Sequence, residues 1–66
     1  MSYRESILKI APDCEPRHVE AWMRVEHPTL DHLSPARFKR EVTLALDCIA
    51  QAGAEQSEAL ARSYGL

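Results

Sequence analysis

The sequence predicts an all-α fold, a small bundle of three to four helices (about 3–11, 15–27, 34–52 and 54–63) with a short 3₁₀ turn near 29–33. Three observations carry this expectation. Apolar residues recur at three- and four-residue spacing along each long segment, no segment alternates with the period of a strand, and Ser, Pro and Gly punctuate the helix ends.

The first helix, about Tyr3 to Ala11, opens on Ser2 as N-cap, and Glu5 three residues on completes a capping box. Tyr3, Ile7, Ile10 and Ala11 fall on one stripe, Glu5 and Lys9 pair on the opposite face, and Pro12 ends the helix. In the second, about Glu15 to His27, Asp13 or Cys14 is the expected cap and Pro16 sits in the first turn, where its missing N–H costs nothing. Val19, Trp22 and Met23 share one side, and Ala21, His18 and Val25 continue the arc. Arg17, Glu20, Arg24 and His27 point outward. An apolar arc this wide predicts a central helix, buried on more than one side and stopped by Pro28. In the connection, Thr29 caps the short 3₁₀ turn, and Leu30 and Leu33 plug the space between helices.

The third helix is the clearest. Ser34 is its N-cap, Pro35 its first residue, and Leu33 with Phe38 forms a hydrophobic staple. Phe38, Val42, Ala45, Leu46, Ile49 and Ala52 make a continuous apolar stripe, closed by Gly53. The fourth helix, about 54–63, has a narrow apolar edge at Leu60, Ala61 and Tyr64, and an outer Glu58–Arg62 pair. It could continue the third through Gly53, but the strong stripe stops there, which favours a break.

Sixty-six residues hold one domain at most, residues 1–66, and a core of this size is marginal without a metal, a crosslink or a partner. The two cysteines, Cys14 and Cys48, are expected to be free. The start of the chain lacks the apolar run of an export signal, and no stretch is long enough to span a membrane, so a cytoplasmic location is expected. A net charge of −2 and a pI near 5.8 argue against general affinity for nucleic acid.

Motifs with chemistry are few. Cys14, His18, His27 and His32 lie close in sequence, but Pro16 and Pro28 interrupt the two loose pairs they form, and Glu15-x-x-His18 is only half of a two-metal site. No metal or cofactor is expected. Nothing brings a cysteine and a histidine together as a dyad, so no enzyme activity is expected. Arg37, Lys39 and Arg40 give residues 34–41 a net charge of +2, while the segments on either side each carry −2. That basic start of the third helix supports a nucleic-acid-binding, helix-turn-helix-like regulator as the second reading. The connection is longer than that motif's usual turn, and Arg37 can instead pair with Glu41. The first reading is a non-enzymatic helical interaction or regulatory module that binds another protein or a second copy of itself. Leu44 and Cys48 lie off the main stripe and form a second, smaller apolar edge, which either packs under helix 1 or helix 4 or marks a partner surface. Arg37, Lys39, Arg40, Leu44 and Cys48 are therefore the candidate interaction surface, with Leu8 a further candidate for the same seam.

Overall fold

The structure, a computed structural model, describes residues 2–66. It contains four helices: α1 (Tyr3–Ile10), α2 (Pro16–Glu26), α3 (Pro35–Ala52) and α4 (Ala54–Ser63). No strand occurs among the described residues, and no helix is long and apolar enough to cross a membrane. The all-helical bundle anticipated from periodicity is therefore present.

α2 is the centre of the bundle and packs against each of the other three helices; among the described residues α1 and α4 do not touch. Ile7, Val19, Met23, Leu30, Val42 and Ala45 form the buried core, with Trp22, Leu33, Phe38, Leu46 and Ile49 packed around it. The apolar stripes of α1, α2 and α3 thus meet on one another, and Leu30 fills the space under the connection.

Local chemistry sets the helix ends. Ser2 accepts from the backbone N–H of Glu5, and Ser34 accepts from that of Arg37, so both expected N-caps form. Gly53 has φ +90 and ψ 168, a conformation open in practice to glycine alone, and the chain turns there from α3 into α4. α4 closes with the Leu66 N–H on the Ala61 carbonyl (2.9 Å) and the Gly65 N–H on the Arg62 carbonyl (3.0 Å). Those are the two bonds of a Schellman motif, with Gly65 left-handed at φ +75.

Several expectations need correction. α2 is capped by Glu15 without a side-chain bond, in place of Asp13 or Cys14, because those residues lie in the turn that follows α1. The connection at 29–33 contains a turn at Asp31 and His32 and no 3₁₀ helix, and Leu30 is anchored in the core. Glu20, expected outward, is 5% exposed. It is covered because Arg24 folds over it, with Nε donating to Glu20 Oε2 at 2.9 Å while the guanidinium lies 5.8 Å above the Tyr3 ring of α1. The Tyr3 hydroxyl in turn hydrogen-bonds Asp31, so α1, α2 and the connection share one polar seam. Arg17 is also half-buried, against α4. Val25, expected inside, is 50% exposed: α4 meets α2 at Arg17, His18 and Trp22, and Val25 lies nearly a turn beyond the last of these. Tyr64 is exposed because it sits at the cap of α4, after the stripe has ended.

Candidate functional site

The five candidate residues all lie on α3, and all are exposed. Arg37, Leu44 and Cys48 fall on one edge at spacings of seven and four residues, and they line a groove of about 260 Å³ between α2 and α3. Trp22, Glu26 and His27 also line the groove, and Met23 and Ala45, both nearly buried, lie at its base. Arg40, one turn before Leu44, stands beside this edge. Lys39 belongs elsewhere: it lines a second groove of about 390 Å³ with Lys9, Ile10, Leu33, Pro35 and Phe38, on the side where α1 packs. The basic start of α3 is therefore divided between two faces.

Leu44 is 47% exposed, although residues on either side of it along the helix, Val42 and Ala45, are buried. Neither α1 nor α4 covers it, so the apolar edge it forms with Cys48 is open to solvent. Both cysteines are free. Burial raises the pKa of half-buried Cys14, whereas Cys48 is exposed in the groove. Leu8, on α1, is 39% exposed and does not line this groove.

Sequence reasoning missed the carboxylate behind the edge. Glu41 is 5% exposed; Arg37 Nε donates to its Oε1 at 2.8 Å, and His27 Nε2 lies 3.6 Å from the same oxygen. The four-residue spacing of Arg37 and Glu41 was legible. Burial was not, because it depends on His27 arriving from the end of α2. Arg37 is consequently held by its own chain at the mouth of the groove.

A second charged cluster joins α2 to α4. Arg17 grips Glu58 with both terminal nitrogens at 2.9 and 2.8 Å and also donates to the Leu66 carbonyl at 2.8 Å. His18 Nε2 lies 3.0 Å from Glu58 Oε1, and Arg62 Nε donates to Oε2 at 3.1 Å. The hydrogen bonds from Arg17, then from His18, hold the Glu58 carboxyl at about 2, well below the ordinary carboxylate value. The Glu58–Arg62 pair expected on the outside of α4 is real, but Glu58 also reaches inward to α2. With His18 on Glu58 and His27 beside Glu41, both histidines of α2 and its cap face carboxylates and not thiols. Among the described residues, no three His, Cys, Asp or Glu side chains are grouped as metal ligands would be.

Comparison of the chain with protein-family models, with curated proteins and with solved structures gives no match.

Proposed function

We propose that this chain is a non-enzymatic helical interaction module that binds a protein partner through the outer edge of α3 and the α2/α3 groove beside it. The observation that carries this reading is the exposure of Leu44 (47%) at the lip of a groove with Trp22 in its wall and Met23 at its base, next to a core complete without it. A volume of about 260 Å³ is small for a metabolite, since ligand sites run from roughly 300 to 1,000 Å³, but it suits a single anchoring side chain of a protein.

The same geometry weakens the nucleic-acid reading. Recognition there would draw on Arg37, Lys39 and Arg40 together. Arg37 is engaged by Glu41, and Lys39 faces the other groove.

The test is capture of partners on immobilised wild type and on Leu44→Asp, with circular dichroism to establish that the variant keeps its helices. A protein retained by wild type and lost by the folded variant is the expected result. Identical retention by both removes the α3 edge as the binding surface. Retention of duplex DNA in a salt-dependent manner, lost in Arg40→Glu, would replace this reading with the nucleic-acid one.

A further inference from the structure

The outer edge of α3 is self-complementary in charge. Arg40, Leu44 and Asp47 follow one another at four- and three-residue steps and share one exposed strip, with Gln51 and Cys48 beyond. Arg40 and Asp47 are opposite charges one turn either side of Leu44. They lie about 10 Å apart along the axis at 1.5 Å per residue, too far to pair with each other. Among the described residues neither forms an ion pair within the chain, in contrast to Arg17, Arg24, Arg37 and Arg62, which each hold a glutamate.

We infer that the occupant of this edge is a second copy of the chain, docked antiparallel, α3 on α3, about a twofold axis at Leu44. The inference rests on the interaction reading above and specifies its partner. In that arrangement Leu44 of each copy meets Leu44 of the other at the axis. Arg40 then lies level with Asp47 of the partner subunit to within about 1.5 Å along the helix, and the symmetry makes the pair twice. Antiparallel docking also sets the positive N-terminal end of each α3 against the negative C-terminal end of its neighbour. A parallel dimer would instead place Arg40 beside Arg40 and Asp47 beside Asp47, which is repulsive. The twist is that Cys48 plays no covalent part: the two Cys48 residues stand about 12 Å apart along the axis, beyond the reach of a disulfide. One helix edge makes a small interface, so the association is weak and falls with added salt.

Charge reversal tests this by sedimentation of the whole chain across concentrations up to about 1 mM, the regime of weak association. Wild type is expected to pass from monomer to dimer, and Arg40→Asp and Asp47→Arg each to stay monomeric. The double variant, with both charges exchanged, is expected to dimerise again. Wild type monomeric throughout, single variants that associate like wild type, or a double variant that stays monomeric each overturn the proposal. Crosslinking supplies a readout independent of those variants. In a Cys48→Ser background, Leu44→Cys is expected to give a covalent dimer under mild oxidation, while wild-type Cys48 gives none; the reverse outcome overturns the antiparallel register. A strictly monomeric wild type that still captures a protein in a Leu44-dependent way removes the self-association and leaves the interaction module standing.

Discussion

Ser57 has no exposed surface, and its hydroxyl works in both directions: it accepts from Trp22 Nε1 at 3.0 Å and donates to the Gly53 carbonyl at 2.8 Å. Removing it leaves a half-buried indole N–H and a helix-end carbonyl without this partner. Ser57→Ala is therefore expected to cost about 1–3 kcal/mol in a urea titration. Adding Trp22→Phe, which deletes the N–H along with part of the ring, should cost less than the sum of the two single changes. Glu58 gives the second prediction at this scale. Its carboxyl titrates at about 2 in the folded chain, against an ordinary value near 4.5. A carboxyl with a depressed folded pKa stabilises above its unfolded value, and that contribution is lost as pH falls through the folded one. Stability measured from pH 7 downward should accordingly fall between about pH 4.5 and pH 2, and Glu58→Gln should flatten that part of the profile. An unchanged slope in the variant would show that Arg17 and His18 do not hold the carboxylate in solution.

At the scale of the helices, the ends of α3 and α4 were legible because they depend on neighbours in sequence: Ser34 before Pro35, Gly53 after the last stripe residue. Gly53 is the sharpest case. A methyl group there would meet nothing within 4 Å, so any penalty is conformational and not steric. Gly53→Ala should cost about 1–3 kcal/mol if the break is kept, lowering the melting temperature by several degrees per kcal/mol in a domain this small. If instead the melting temperature holds and helicity rises, α3 and α4 have fused into one rod, and the Trp22–Ser57 contact must have been given up. What sequence could not reveal about α2 is equally specific. The width of its apolar arc identified it as the central helix, yet the arc alone put Val25 inside and Glu20 outside. Which of them is covered depends on where α4 starts and where Tyr3 of α1 meets Arg24, and both are facts of tertiary packing. Glu41 escaped detection for the same reason: its burial is completed by His27 from another element.

For the whole molecule, a 66-residue chain measuring 29 × 21 × 18 Å has little interior, and its core stripes are spent on holding four helices together. The candidate residues lie on the surface and divide there. Arg37, Leu44 and Cys48 share a groove, Arg40 borders it, and Lys39 lies on the far side. That division lay beyond a linear reading of the basic run at 37–40, although the helical spacing of Leu44 and Cys48 already set them apart from the core stripe. Association through this edge would also add buried apolar surface to a marginal fold, so stability should rise with protein concentration. The most direct measurement is sedimentation of Leu44→Asp beside wild type, with helicity recorded on the same samples. The expected result is a native-like helical content in both, with concentration-dependent association in wild type alone. A variant that unfolds would place Leu44 in the core, and one that associates as wild type does would remove the edge of α3 as the binding surface.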